Sequence, residues 1–403
     1  MLKKHISINN KQSQRITGFV VVLTIAVIGA IVLTGSHAAS PYASSTASSG
    51  TLASGAVKQA CAGAGSGNCV AFNGTGGGGG TTTGKYLGID AYSSDLADGD
   101  LKSLHVNSLR DNWDLNTNEA DHSDFTMVET SYGYLAGAPY MNAVTAAHIT
   151  PLPILNAGSE AGYGTAVTTW CQMYCAGGTF WKNNTTGNAA YAPTNLEITN
   201  EPYYGAIAAS TYATMLKDAR TDLNAVGLSK INIISEAGDI WHDSWTQQVK
   251  SAGGLASAQG IAIHPYSPSA VPANATCPAN ITISQVETAS TGGGNPANSW
   301  LEICYMHQEY NMPVYITEQG WCLTGNAACG DAGNIAESLK DTNITNMIGN
   351  FKNTSWITGW WYYNMGGDGA GTYGLYTGCF SPCTQTTAFS AFAAAAAANG
   401  FSN

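Results

Sequence analysis

Residues 195–202 read Asn-Leu-Glu-Ile-Thr-Asn-Glu-Pro. A short run with Leu196 and Ile198 on one face ends in a polar pair, Asn200-Glu201, and then in a proline that cannot extend a strand ladder. Outward from it the same pattern recurs, at 86–89, 106–109, 150–155, 231–235, 260–263, 313–317 and 357–363. Most of these runs are rich in Val, Ile, Leu or aromatics, as strands covered on both faces should be. Helical stretches separate them, clearest at 206–225, with Tyr212, Met215, Leu216 and Leu223 on one face, and at 300–310, 335–351 and the Ala-rich 389–398. Eight strands alternating with helices predict an α/β fold, a (β/α)8 TIM barrel, over 85–403. No internal repeat stands out beyond this alternation.

Upstream the character changes. Residues 16–34 carry no charge and follow Lys3, Lys4, Lys11 and Arg15, and the small-residue run Gly35 to Ser40 follows them. This reads as an export segment over 1–40, either a cleaved signal peptide or an uncleaved signal anchor. In either case the positive charge stays inside and the chain from Pro41 onward lies outside the membrane, so the expected location is secreted or at the extracellular face. Residues 41–84, rich in Ser, Ala, Gly and Thr with glycines at 76–80, read as a disordered low-complexity stalk.

The charge balance excludes one class of partner. Lys and Arg number 15 against 26 Asp and Glu, and four of the 15 lie in the export segment. A chain this acidic is repelled by phosphate backbones, so nucleic acid is not expected, and contact with a membrane is expected only through an uncleaved N-terminal helix. Ten cysteines fall into short-range sets, Cys61 with Cys69, Cys171 with Cys175, Cys322 with Cys329 and Cys379 with Cys383, leaving Cys277 with Cys304. In an exported chain these read as disulfides, because no paired C-x-x-C or histidine at ligand spacing suggests a metal. Asn-x-Thr sequons occur at Asn274, Asn280 and Asn343.

In a barrel the reacting groups stand where strands end, at the C-terminal face. Arg110 is expected at the end of the second strand, Asn200 and Glu201 at the fourth, His264 and Tyr266 at the sixth, Glu318 at the seventh, and Trp360 and Trp361 on the eighth. Two carboxyl groups on strands four and seven face each other across the mouth, as attack and protonation on opposite sides of one glycosidic bond require. One must be ionised and the other protonated, so their surroundings must differ, and a nearby Arg and Tyr would hold one of them ionised. Arg110 is also expected to pair with Glu197, which strand alternation points into the barrel with Glu201. His264 reads equally as a satisfied core histidine or a substrate contact. Only one of Trp360 and Trp361 can face inward, and Trp361 is the candidate for the mouth. The loop 236–242 carries acid, aromatic and imidazole groups together, while Trp170, Trp181 and Trp321 are sugar platforms in principle but more simply core.

These residues carry a resemblance. Leu196 to Pro202 resembles the strand-four Asn-Glu-Pro motif of glycoside hydrolase clan A, and Tyr315 to Trp321 resembles that clan's strand-seven nucleophile motif. His264-Pro265-Tyr266 is similar to the strand-six His-x-Tyr of families 5 and 39, and Arg110 and Trp360 or Trp361 fall where the clan has an Arg and a Trp. The resemblance implies a retaining β-glycoside hydrolase, cellulase-like, acting on a β-linked polysaccharide or oligosaccharide such as β-glucan or mannan, with no cofactor or metal. It implies Glu201 as acid/base, Glu318 as nucleophile, Asn200 on the sugar 2-hydroxyl, Tyr266 on the nucleophile and a strand-eight Trp as platform. One departure stands out: Asn156 ends the third strand where family 5 often has a His. The competing expectations are a carbohydrate-binding barrel without activity and a surface-anchored scaffold.

Overall fold

The computed structural model describes residues 56–60, 68–72, 84–90, 100–115, 127–130, 133–157, 160–204, 207–288, 298–323, 335–366, 373–377 and 384–401. The chain divides into two units, 1–76 and 77–403. In the first, Ala56–Ala60 pairs antiparallel with Asn68–Phe72, Gln59 standing opposite Cys69. The stalk is therefore not structureless throughout. Averaged over its length the composition is Ser, Gly and Thr, and that average hides two short runs with Val57, Val70 and Phe72. Residues 1–40, expected to be an export segment, lie outside the described residues, as do Cys61, Cys329, Cys379 and Cys383. Among the described residues no helix is long and apolar enough to cross a membrane.

The second unit contains a closed barrel of eight parallel strands. They are β1 (Tyr86–Asp90), β2 (Ser108–Asp114), β3 (Thr150–Asn156), β4 (Asn195–Ile198), β5 (Asn232–Glu236), β6 (Gly260–Ile263), β7 (Val314–Gln319) and β8 (Ile357–Tyr362). Each is hydrogen-bonded to the next, and β8 closes on β1 with Trp361 opposite Gly88. A helix follows every strand: α1 (Asp100–Ser103), α2 (Gly137–Ala146), α3 (Tyr163–Tyr174), α4 (Ala209–Ala225), α5 (Asp243–Ser251), α6 (Ser299–Tyr310), α7 (Glu337–Asn353) and α8 (Thr387–Ala398). Before α2, a hairpin of Met127–Thr130 and Gly133–Ala136 joins the edge of β2 through Asn112 and Glu129.

Strand alternation sorts the side chains. Leu87, Ile89, Leu109, Leu196, Ile198, Ile233, Ile261 and Ile263 point outward into the main core beneath the helices. A smaller cluster, Leu152, Ile234, Ala262, Tyr315 and Trp361 with Tyr86 against it, fills the barrel interior. Trp361 fits there because β1 and β8 carry glycines beside it. A Cβ on Gly88 would sit 2.1 Å from its Cδ1, and one on Gly359 2.2 Å from its Cζ3.

Two loops are tied down by particular chemistry. Cys171–Cys175 closes the C-terminus of α3, and Cys277–Cys304 fastens the β6–α6 loop to α6. Cys322 is also disulfide-bonded. The β6–α6 loop, which carries Tyr266, is further laced to α7 by three asparagines. Asn343 accepts from Val271 N–H and donates to Ser269 C=O, Asn346 donates to Val271 C=O, and Asn350 accepts from Ala275 N–H and donates to Pro272 C=O. Asn343 is thus a buried structural amide rather than a glycan acceptor, whereas Asn274 and Asn280 are exposed.

Because Asn350 satisfies two backbone groups that nothing else reaches from α7, Asn350→Ala is expected to lower the unfolding free energy by about 1–3 kcal/mol. The exposed neighbour Asn353→Ala should change it by less than about 0.5 kcal/mol. Denaturant titration of the two variants checks this, and equal effects would remove the lacing from the account.

Candidate active site

The site is built around Arg110. It lies third in β2 rather than at its end, because the strand continues through Asp111-Asn112-Trp113-Asp114 in unbroken register with β3. Those polar residues conceal the strand in the sequence. Asp111 faces out to the Tyr140 hydroxyl of α2, and Trp113 packs between Tyr140, Trp170 and Tyr174. Facing in, the Arg110 guanidinium makes a two-pronged pair with Glu197, Nε to Oε2 at 2.8 Å and Nη2 to Oε1 at 2.6 Å. Nη1 donates to Asp90 Oδ1 at 3.1 Å and to Glu318 Oε1 at 2.6 Å, and Nη2 also donates to Asn200 Oδ1 at 2.7 Å. The expected pairing with Glu197 is present, and it belongs to a wider network that includes Glu318 and Asn200.

Glu318 owes its inward direction to a local irregularity. The β7–β8 register slips between Ile316 and Gln319, and two consecutive side chains then reach the interior, Thr317 to His264 and Glu318 to Arg110. Such irregularities re-aim side chains at sites of chemistry. Tyr266 donates its hydroxyl to Glu318 Oε2 at 2.9 Å. Glu201 stands just past β4 with φ 44°, after Thr199 at φ 60°, left-handed conformations that residues other than glycine seldom hold without support. Part of that support is Asn156, whose Oδ1 accepts from Asn200 N–H and whose Nδ2 donates to Asn112. Asn156, at the end of β3, is thus a brace for the Asn200–Glu201 turn.

His264 joins the two carboxyl groups. Its Nδ1 lies 3.0 Å from Glu201 Oε1 and 3.7 Å from Glu318 Oε2, while Nε2 meets Thr317 Oγ1 at 3.1 Å and Glu236 Oε2 at 3.6 Å. It is 3% exposed, so it positions Glu201 instead of presenting a face to the mouth. Glu201 is the more open of the pair, its side chain 30% exposed against 12% for Glu318.

Burial and charge pull these groups apart. Burial alone would push the Glu318 carboxyl up, but the His264 imidazolium and Arg110 guanidinium, with hydrogen bonds from Arg110 and Tyr266, hold it below the ordinary glutamate value. Burial would lower His264, yet Glu318 and Glu236, with Glu201 beyond them, outweigh it and raise the imidazole to about 10. Burial dominates at the two outer acids, raising Asp90 well above its usual range and Glu236 to about 8. Tyr266 keeps its proton as a donor, since burial and the Glu318 charge both push it up.

Two groups, Glu197 with Glu236 and His264, and Glu201 with His264 and Glu318, bring ligand-type atoms within 4.8 Å of one another. With its imidazole raised to about 10, His264 keeps both ring protons at neutral pH and offers no lone pair to a metal, and Arg110 already pairs with one carboxylate of each group, Glu197 and Glu318.

Neither strand-eight tryptophan reaches the mouth, where Trp361 was the candidate. Trp360 faces outward, stacked on Phe392 of α8 and donating to Gln319 Oε1. Trp361 points inward but low in the barrel, between Tyr86 and Tyr315 and donating to Ser108 Oγ. Both are essentially inaccessible at 0% and 1%, and Trp170, Trp181 and Trp321 are core. One aromatic at the mouth is Tyr363, one residue past β8, half-buried and edge-on to Tyr266 and Tyr373, with a cis peptide to Asn364. Gly320 makes room for it, since a Cβ there would lie 2.0 Å from Tyr363 O. Sequence reading also missed Asp90 and left Glu236 undecided. Each is an acid closing a β-branched or aliphatic run at a strand end, the same signal that marks Glu201 and Glu318.

The sequence matches no protein-family model and no curated protein. Solved structures are similar at low identity. A GH128 subgroup I endo-β-1,3-glucanase from Amycolatopsis mediterranei in complex with laminaritriose has 13% identity and a TM-score of 0.44 over 77% of this chain and 99% of that one. Fungal β-1,4-galactanases give 12% and 0.48 over 77% and 99%, and the catalytic domain of GH30 xylanase C from Talaromyces cellulolyticus gives 12% and 0.42 over 78% and 76%. At these scores the likeness decides nothing about chemistry, which rests on the residues themselves.

The cluster should make stability pH-dependent. His264 and Glu236 both bind a proton more tightly in the fold than in the unfolded chain, so their contribution falls as pH rises, from about 6.5 to 10 for His264 and from about 4.5 to 8 for Glu236. Glu318 has the opposite sign only below its ordinary value, and the buried Lys85, lowered to about 8, only above that pH. Between pH 6.5 and 8 the thermal midpoint is therefore expected to fall, and the fall should be shallower in Glu236→Gln. A midpoint that rises across that interval would contradict the charge assignment.

Proposed function

We propose that this protein is an exported retaining β-glycoside hydrolase that cleaves O-glycosidic bonds of a β-linked polysaccharide or oligosaccharide, such as a β-glucan or mannan. The observation that carries the reading is the opposed pair at the mouth, Glu201 from the end of β4 and Glu318 from β7, whose oxygens lie within 4.8 Å of each other and of His264. Double displacement uses carboxyl groups about 5–5.5 Å apart, whereas single displacement through water needs roughly 6.5–9.5 Å. Export is supported by the basic-then-apolar N-terminus and by the disulfides Cys171–Cys175 and Cys277–Cys304.

The chemistry follows from the network. Glu318, ionised and fixed by Arg110 and Tyr266, attacks the anomeric carbon while Glu201 gives a proton to the departing glycosidic oxygen, leaving a glycosyl ester on Glu318. Glu201 then removes a proton from water as the water attacks the same carbon, and Glu318 leaves as carboxylate. Asn200, its Oδ1 engaged by Arg110, keeps its Nδ2 for the sugar 2-hydroxyl. Tyr363 takes the role of platform expected of a tryptophan.

A panel of cellulose, β-1,3-glucan, mannan, galactan, xylan and aryl β-glycosides tests the reading with Glu318→Gln alongside. The wild type should cleave at least one substrate, and the variant should lose about 10³-fold or more in kcat. Glu201→Ala should retain aryl glycosides with good leaving groups and yield a β-glycosyl azide when azide is added, because the second step then needs no base. Binding without cleavage by all three proteins would instead indicate a carbohydrate-binding barrel.

A further inference from the structure

Among the described residues the exposed large hydrophobics are Tyr204 at 62%, Val226 at 42% and Trp241 at 39%. Val226 caps the C-terminus of α4, at the end of the barrel away from the mouth. Tyr204 and Trp241 instead stand on the loops after β4 and β5, beside the active site, linked through His242, which follows Trp241 in the chain and meets the Tyr204 ring, and large rings turned to water beside a site suit a ligand that covers them. The patch is built. Tyr203 donates to Glu201 Oε1 at 3.4 Å, and its ring lies 4.9 Å from Tyr204 and 4.4 Å from His242. His242 meets Tyr204 edge-on at 4.7 Å. Asp239 accepts from the N–H groups of Trp241 and His242 and from the His242 ring, which fixes the turn carrying Trp241. Gly238, at φ 70°, lets that loop close on Tyr203, whose Cε1 would be 2.9 Å from a Cβ there.

The direction of the reaction says what this patch faces. Glu201, the proton donor to the leaving oxygen, is on β4, and the patch continues outward from it on the β4 and β5 loops. Glu318 stands on β7, and Tyr363 follows β8, across the barrel from β4. A substrate laid over both carboxyl groups therefore places its leaving-group sugars on the β4–β5 side.

We infer that Tyr204 and Trp241 form a binding shelf for the leaving-side sugar units of a β-linked chain, whose apolar C–H faces stack on the two rings. The shelf makes the enzyme selective for oligosaccharides and polysaccharides over glycosides with a small leaving group. This inference rests on the hydrolase reading for its direction, and its test separates the two.

Tyr204→Ala and Trp241→Ala are made singly and together in the full chain, with and without Glu318→Gln. The probes are cellopentaose, laminaripentaose and mannopentaose, with the 4-nitrophenyl β-glycosides of the matching disaccharides. For the pentaose that the protein accepts, kcat/KM should fall by about tenfold per ring more than it falls on the aryl glycoside, and the dissociation constant in the Glu318→Gln background should rise by a similar factor. Tyr204→Phe and Trp241→Phe should recover most of the loss, as a lost fold would not. Equal losses on both substrates, no loss on the pentaose, or binding of none of the three pentaoses overturns the shelf. If the wild type binds a pentaose through these rings yet cleaves nothing, the shelf stands and the hydrolase reading falls.

Discussion

A single buried guanidinium organises this molecule. Arg110 is 3% exposed and gathers Glu197 and Asn200 from β4 and its end, Asp90 from β1 and Glu318 from β7. Removing such a charge from water is costly, and only multiple charge-assisted hydrogen bonds in fixed geometry offset it. A planar five-donor fork can meet that demand where a lysine ammonium cannot. The apolar layer below it, Leu152, Ile234, Ala262, Tyr315 and Trp361, keeps water out from beneath and strengthens each of these bonds.

From that constraint the asymmetry of the two carboxyl groups follows. Glu318 sits on the Arg110 side with Tyr266 on its other oxygen, and is held in its charged form. Glu201 leans instead on His264 and Tyr203 at a more open position. The same polarity extends outward, to Tyr363 past β8 on one side and to the rings of the β4 and β5 loops on the other. In the proposed mechanism, structure and direction of reaction are thus linked through strand order.

The barrel was legible because its strands are buried on both faces, and runs such as Gly260–Ile263 and Val314–Gln319 declare themselves by apolar content. Glu201, Glu318, Asn200, His264 and Tyr266 were legible because they follow such runs directly. The second strand was read too short since its inward and outward positions past Leu109 are polar, satisfied by Glu197 and Tyr140, partners distant in sequence. Period-two alternation correctly separated Trp360 from Trp361, but it carries no information on height within the barrel. Two glycines, Gly88 and Gly359, decide that Trp361 lies below the mouth. Tyr363 and the hairpin before α2 depend on loop conformations that leave no periodic trace.

The most direct measurement is trapping with 2-deoxy-2-fluoro β-glycosides bearing good leaving groups, followed by peptide mapping of the labelled protein. The account predicts one covalent glycosyl ester, on Glu318, formed at a rate that falls when Arg110 is replaced. A label on a different carboxylate, or turnover with inversion and no trapped ester, would contradict it.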